Sequence, residues 1–451
     1  MGSTLSNDGN NRKKVYLETL GCQANQLESI HVTRLLREGG YGSTERWEDA
    51  DVILFNTCSV RQHAEEKIFS RLGQLTAWKD EREGRVLGVL GCMAVEHKER
   101  LLDRVPHLDV VLGPDRYPQV VETLRRASGE RARSALADFD PAVFPESDPG
   151  HLVTPHRAFV EIMKGCDKFC SYCVVPFTRG REVSRDPDAI VEEVARLVGS
   201  GVREITLLGQ NVNSYGVGLR REGEVPSFPS LLRRVAAVEG LERLRCMTPH
   251  PLDLSDDLAA AFGDTPNLCP YLHLPVQSGA DAVLKRMNRR YTAGHYLGRV
   301  ARLRQERPDI ALSSDFIVGF PGETDEDFEA TLRLMDEVRY DFYYSFKYSA
   351  RPGTLAARMT DAVPEMVKEE RLARLNEKAN RHAAERAAAR VGLVEEVLVD
   401  GEAERTPGCL YGKSRQNRVV VFDAEGHRPG ETVRVLVKEH RVANLLGKVT
   451  R

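Results

Sequence analysis

The run Gly165-Cys166-Asp167-Lys168-Phe169-Cys170-Ser171-Tyr172-Cys173 sets three thiols in a C-x3-C-x2-C spacing. Three thiolates on one short loop can hold three corners of an iron–sulfur cubane, whose closed form takes four protein ligands. One iron then stays open, as the open position does in catalytic metal sites. Half of a zinc site is the alternative, because C-x2-C pairs are common zinc ligands. A closed zinc site would need a second pair or a His partner at matching spacing, and none follows nearby in the sequence. Cys22, Cys58 and Cys92 have a different signature: each closes a short apolar run, at 15–22, 51–58 and 85–92. A lone free cysteine is an ordinary small core residue. Three at the same structural position point instead to a second iron–sulfur cluster with an open site. Cys246, Cys269 and Cys409 share no spacing and read as packing residues.

The chain reads as α/β over 13–130 and again over 152–385. Between the first three cysteine-ended runs lie helical patterns, with Leu27, Ile30, Leu35 and Leu36 on one face and Ala64, Ile68, Leu72 and Leu75 on the next. Strand, helix, strand in succession predicts a parallel sheet, and such sheets present ligands at the carboxyl ends of their strands. Cys22, Cys58 and Cys92 should therefore meet at one edge. A strand at 108–112 and a helix at 118–126 complete an open-sheet domain over 13–130, after a polar leader, 1–12, expected to be disordered. The Ser, Gly, Asp and Pro of 131–151 read as a linker.

Over 152–385, the segment 159–164 leads straight into Cys166, and five more strand candidates follow at 204–208, 241–247, 271–276, 312–318 and 341–348. Helical patterns separate them, at 187–198 behind an Asp186 N-cap, at 280–307 and at 325–338. Six such units predict a partial (β/α)6 barrel with its site at the carboxyl face and an opening for a bulky polymer. Gln210, Asn211, Asn213, His250, Gln277, Ser314 and Asp315 lie just past or at those strand ends. A helix over 364–390 precedes 386–451, whose short β runs predict a small barrel of the OB type. In that tail the stretch 405–422 has no Asp or Glu but holds Lys413, Arg415 and Arg418, with Tyr411 and Phe422 interleaved. Basic residues among aromatics suit an RNA backbone and unstacked bases.

At 451 residues the chain fits about three domains. A net charge of −3 announces no global nucleic-acid field, so any RNA surface is local. No apolar run is as long as a membrane span, which predicts a cytoplasmic protein without a membrane partner. In that reducing compartment, nine cysteines argue for thiolate chemistry over disulfides.

The central cysteine run resembles the signature of the radical S-adenosylmethionine (SAM) enzymes. The resemblance implies a 4Fe-4S cluster on Cys166, Cys170 and Cys173, SAM on its open iron, and Tyr172 at the aromatic position such motifs carry. The run 317–324 is similar to the adenosine-contacting segment of these barrels, departing from its generic form at Asp315. Tyr172, Gln210, Asn211, Gln277, Ser314, Gly319 and Gly322 are the cofactor-binding candidates that follow.

Two cysteine triplets with this tail, a TRAM domain, resemble the methylthiotransferase family from about Lys14 onward. Asn56-Thr57-Cys58-Ser59-Val60-Arg61, Leu207-Leu208-Gly209-Gln210-Asn211-Val212-Asn213 and Gln416-Asn417-Arg418-Val419 point to the branch acting on tRNA bearing N6-isopentenyladenosine at position 37. Relatives acting on threonylcarbamoyl-adenosine or a ribosomal protein usually differ there. The family implies that one cluster generates a 5′-deoxyadenosyl radical that takes hydrogen from C2, and that a second 4Fe-4S cluster at Cys22, Cys58 and Cys92 carries the sulfur to be methylated and inserted. It further implies tRNA, an external electron donor and a sulfur donor as partners of a monomer. The non-enzymatic alternative is a two-cluster RNA-binding protein that transfers electrons or senses iron.

Overall fold

The computed structural model describes residues 12–58, 62–152, 154–219, 225–441 and 444–450. The leader up to residue 11, the Ser59-Val60-Arg61 part of the motif and the side chain of Ala64 lie outside the described residues. The chain forms two compact units. The first runs to Leu152 and takes in Phe159–Cys166 and Val174–Val183; the second comprises Val153–Ala158, Asp167–Cys173 and everything from Ser184.

In the first unit, β1 (Lys14–Leu20), β2 (Gly42–Ser43), β3 (Val52–Thr57), β4 (Val86–Gly91), β5 (Val110–Leu112) and β6 (Ser134–Leu136) form one sheet in the order β2-β1-β3-β4-β5-β6. Every pairing is parallel. β3 and β4 are buried along their whole length. Successive residues point to opposite faces of a strand. Val52 and Leu54 accordingly pack with Val32, Leu36, Val120 and Leu124, while Ile53 and Phe55 pack with Ile68, Leu72, Trp78 and Met93. Burial on both faces is what an all-parallel sheet requires. The expected linker is a connector only in part, because Ser134–Leu136 closes the sheet as β6. Three residues are too few to show a strand period in the sequence.

Two short strands, β8 (Met163–Lys164) and β9 (Val183–Ser184), flank the central cysteines in sequence, after β7 (Arg157–Glu161). In the second unit, β10 (Glu204–Leu208) pairs parallel with β11 (Arg243–Cys246). The amides of Arg203 and Glu204 donate to His156 O, seating the start of β7 beside β10. β12 (Tyr271–His273), β13 (Ala311–Val318) and β14 (Phe342–Lys347) form a second parallel arc. The bridge Leu244 to Leu268 joins the arcs, so these strands make an open, partial barrel. The helix Glu365–Ala388 packs along β14, where Tyr343 Oη donates to Asn380 Oδ1 at 3.0 Å. The helical pattern read over 280–307 is two helices, Asp281–Arg286 and Ala293–Glu306, parted where Asn288 and Arg290 take positive φ.

The tail is a closed barrel of β15 (Val394–Glu402), β16 (Cys409–Ser414), β17 (Val419–Asp423), β18 (Thr432–His440) and β19 (Leu445–Val449), ordered β15-β16-β17-β19-β18. Val397, Val399, Leu410, Val420, Phe422, Val433 and Val435 fill it. Fully buried Arg243 donates to Lys413 O at 2.7 Å and Glu396 O at 3.0 Å, and Arg245 to Ser414 O at 2.9 Å. Between these elements Glu204 lies 3.1 Å from Arg245 and 3.3 Å from Arg157, which also pairs with Asp400 at 2.8 Å.

Burial alone would raise the Glu204 carboxyl, but Arg245, Arg157 and Arg243 together hold it at about 2, below its ordinary 4.5. A depressed carboxylate contributes stability that is complete above pH 4.5 and lost as pH falls toward 2. Glu204→Gln should therefore cost about 3 kcal/mol at neutral pH. Its urea stability should converge with that of the wild type as pH falls through that window. A constant difference between the two proteins from pH 6 to pH 2 would contradict this assignment.

Candidate functional site

Sheet register places the first cysteine set. Leu20 pairs with Thr57 and Thr57 with Gly91, so Cys22, Cys58 and Cys92 follow the carboxyl ends of three adjacent strands. Gly91 has a φ of 89°, and a Cβ there would strike Asn56 Oδ1 and Thr57 O, so the turn into Cys92 needs glycine. Cys22 is exposed, whereas Cys58 and Cys92 are buried.

A polar network lies beneath the thiols. Asn25 Oδ1 accepts from the Cys22 amide at 3.2 Å, and Asn25 Nδ2 donates to Asn56 Oδ1 at 3.1 Å and Glu28 Oε2 at 3.2 Å. Tyr117 Oη donates to the same Glu28 oxygen at 3.1 Å. Arg179 pairs with Glu28, both nearly inaccessible, and its Nε donates to Cys92 Sγ at 3.0 Å.

A hydrogen bond from Cys58, helped by Arg179 and Asn25, outweighs desolvation and brings the Cys22 thiol down to about 6. Burial pushes Cys92 up to about 11, offset in part by Arg179. Burial also raises Glu161 to about 8 against the pull of Arg179, so this carboxyl is mostly protonated at neutral pH. Among the described residues no three His, Cys, Asp or Glu side chains converge on a point that would hold a single metal ion. The donor set fits a broader group: three thiols along one edge, one of them readily deprotonated, with a fixed guanidinium against another.

The central loop divides between the units, Cys166 with the first, Cys170 and Cys173 with the second. Gly165 has a φ of 76°, and a Cβ there would overlap Arg181 O. On the other side the loop is pinned at several points. Lys168 pairs with Asp253 at 2.7 Å, Asn288 Nδ2 donates to Phe169 O at 2.8 Å, and Ser171 N donates to Met287 O at 2.9 Å. Arg289 Nη1 donates to Cys170 Sγ at 3.5 Å. Three thiols on one anchored loop, one of them facing a guanidinium, fit the cluster of a radical SAM site.

The cofactor-binding candidates fall into two groups. Asn211 donates to Asp253 Oδ2 at 3.0 Å, linking its loop to the partner of Lys168, and Gln210 adjoins it at the end of β10. Gln277 takes a φ of 75° and is buried beside β13, where its carbonyl accepts from Ile317 N at 3.0 Å. Ser314 uses its hydroxyl within the sheet, accepting from Val276 N at 2.9 Å and donating to Leu274 O at 3.0 Å. Tyr172 packs edge-on against Phe320, in a cluster with Val283 and Met287. Gly319 N donates to buried Glu323 Oε1 at 2.9 Å, and Gly322 N to Asp361 O at 2.8 Å. These two glycines therefore shape the turn after β13. His250 accepts from Leu252 N at 3.3 Å; burial, with Arg289 and Lys168, keeps its ring neutral, and its Nε2 is buried without a partner.

The expected RNA-facing cations lie elsewhere. Arg418 is buried, paired with Asp341 and set 5.1 Å over Phe342, so it is not a surface contact. Arg415 turns to Pro266 O and Glu396, and burial lowers the Lys413 ammonium. Arg415 and Arg418 lie in the turn between β16 and β17 and are bound by Pro266 and Asp341 of the partial barrel. Both parities of this run are buried, Val420 and Phe422 on one side and Val421 on the other, so alternation alone does not show which way Arg418 turns. Sequence reasoning also missed Arg179, Glu28, Asn25 and Arg289. A basic pair flanking Gly180, soon after Cys173, was the available signal for Arg179.

A partial parallel barrel entered through a C-x3-C-x2-C loop, preceded by a parallel sheet with three cysteines on one edge, defines a radical SAM protein. Residues 160–335 match the Radical SAM superfamily and 14–113 match Uncharacterized protein family UPF0004. In fold, the chain is similar to the radical S-adenosylmethionine methyltransferase TsrM from Kitasatospora setae, with a TM-score of 0.53 and 14% identity over 77% of each chain. A Geobacter sulfurreducens tRNA-2-methylthio-N(6)-dimethylallyladenosine synthase is 46% identical over 97% of both chains. The enzymes of that name from Alkalilimnicola ehrlichii (45%, 97% of both chains) and Actinobacillus succinogenes (43%, 97% of this chain and 93% of that one) are similarly close. The chain belongs to the tRNA-2-methylthio-N(6)-dimethylallyladenosine synthase family. Among the described residues no helix is long and apolar enough to cross a membrane.

Proposed function

We propose that this chain is a cytoplasmic, monomeric methylthiotransferase that places a methylthio group at C2 of N6-isopentenyladenosine at position 37 of tRNA. The observation that carries the reading is the alignment of Cys22, Cys58 and Cys92 on one sheet edge, a second thiol set beyond the radical SAM loop. When bound, SAM and the two clusters supply radical generation and a sulfur carrier, which suits an aromatic C–H without an acidic proton. Cys166, Cys170 and Cys173 would hold one cluster, with Arg289 placing positive charge at Cys170. Cys22, Cys58 and Cys92 would hold the other. Lys168, Asn288 and Ser171 fix the loop. Gln210, Asn211 and Gln277 would contact SAM at the carboxyl ends of the barrel strands, while Gly319 and Gly322 would shape the turn that borders it. An external electron donor and a sulfur donor complete the reaction.

Anaerobically reconstituted protein, given SAM, a reductant, sulfide and tRNA carrying N6-isopentenyladenosine, should yield the methylthiolated nucleoside by mass spectrometry. The same tRNA without the isopentenyl group, or with threonylcarbamoyl-adenosine, should give much less. 5′-Deoxyadenosine formation without any methylthiolated nucleoside would overturn the assignment.

A further inference from the structure

Arg179 is the cation set against the first-domain thiols. Its Nε donates to Cys92 Sγ at 3.0 Å, while another of its nitrogens is held by Glu28. Glu28 is fixed in turn by Tyr117 at 3.1 Å and Asn25 at 3.2 Å, and the same Asn25 accepts from the Cys22 amide. The guanidinium cannot swing away without leaving Glu28 an unpaired buried carboxylate, a costly state. A cavity of about 20 Å³ beside it, lined among others by Glu28, Glu161, Lys164 and Thr178, has room for roughly one water. Arg179 follows the short helix Val175–Thr178, which packs on the helix Cys92–His97, so both partners are fixed by their backbones.

A cysteine that ligates iron does so as a thiolate. An N–H donor and a positive charge at a ligand sulfur draw off electron density and favour the reduced cluster, and hydrogen bonds to cluster sulfurs are among the levers that set iron–sulfur potentials. We propose that Arg179 is a positioning residue for the cluster on Cys22, Cys58 and Cys92: its hydrogen bond to Cys92, braced by Glu28, raises that cluster's reduction potential and retains its iron. The inference rests on the reading that these cysteines hold a cluster. Glu28 acts in the opposite sense on potential, as a nearby anion that partly cancels the guanidinium.

The test uses the full chain with Cys166→Ala, Cys170→Ala and Cys173→Ala, so that one cluster remains, reconstituted anaerobically. Midpoint potentials are read by redox titration with electron paramagnetic resonance, and iron loss by competition with a chelator. If this parent binds no iron, the cluster reading itself fails. If it binds iron, Arg179→Gln should shift the midpoint to more negative potential and lose iron faster, with Arg179→Lys between the two. Glu28→Gln should shift the midpoint the other way. A merely structural role would not give opposite signs for the two members of one ion pair. Unchanged midpoints, or shifts of the same sign in Arg179→Gln and Glu28→Gln, would overturn the proposal. Should Arg179→Gln fail to load, the midpoints of Arg179→Lys and Glu28→Gln decide it by the same criterion of sign.

Discussion

Protein carrying Cys166→Ala, Cys170→Ala and Cys173→Ala is expected to make no 5′-deoxyadenosine from SAM after anaerobic reconstitution, while keeping the iron and sulfide of one cluster. The complementary protein, with Cys22→Ala, Cys58→Ala and Cys92→Ala, should also keep one cluster and still make 5′-deoxyadenosine, yet release no methylthiolated nucleoside. The two losses differ in kind because the two cysteine sets belong to different elements. One set sits on a loop anchored by Lys168, Asn288 and Ser171, the other on the edge of a sheet. An open iron in each place would have its own task. Methylthiolation surviving the loss of Cys22, Cys58 and Cys92 would return them to the role of core thiols and leave the sulfur step without a site.

The largest stability effect is expected at Asp341. Its carboxylate is nearly inaccessible and accepts from Leu312 N at 3.0 Å, from Arg386 Nε at 3.1 Å and from Arg418. Removing one partner of a buried pair leaves the other charge uncompensated, at about 3–5 kcal/mol. Asp341→Ala should therefore lower the urea midpoint of the unit that includes the tail barrel, with early exchange of amides in β17. Replacing the pair by apolar side chains removes the stranded charge, so Asp341→Ala with Arg418→Met should recover most of the loss. A single substitution costing under about 1 kcal/mol would mean that water reaches the pair and screens it.

Much of this architecture is legible in the amino-acid sequence. Short runs ending in cysteine reveal the sheet edge, because a parallel strand must be apolar along its length and must hand its ligands to the carboxyl end. The strands of the partial barrel can be placed within a few residues for the same reason. What escapes depends on contacts far apart in sequence. Glu28 looks like a solvated helix position until the fold brings Arg179 to it. The helical pattern over 280–307 masks its break, although Asn288, a residue prone to positive φ, and the N-cap Thr292 mark it, and that break supplies Asn288 and Arg289 to the cysteine loop. The basic run of the tail is plain in the composition, but its direction is not. A count of charges carries no information about which way they turn, and Arg418 finds Asp341 and Phe342 only through contacts far apart in sequence.

The way the tail is seated has a consequence for how this lineage could change its substrate. Arg243 and Arg245 cap carbonyls of β16, Asp400 answers Arg157 and His156, and Asp341 answers Arg418. A grafted tail keeps the backbone carbonyls that Arg243 and Arg245 need, but one lacking Asp400 or Arg418 would strand buried Arg157 or Asp341. The tail and the barrel wall must therefore be inherited together. A chimera that exchanges only residues beyond 392 should fold poorly. One that also carries the donor's residues at 157, 243, 245 and 341 should behave as a transplantable unit.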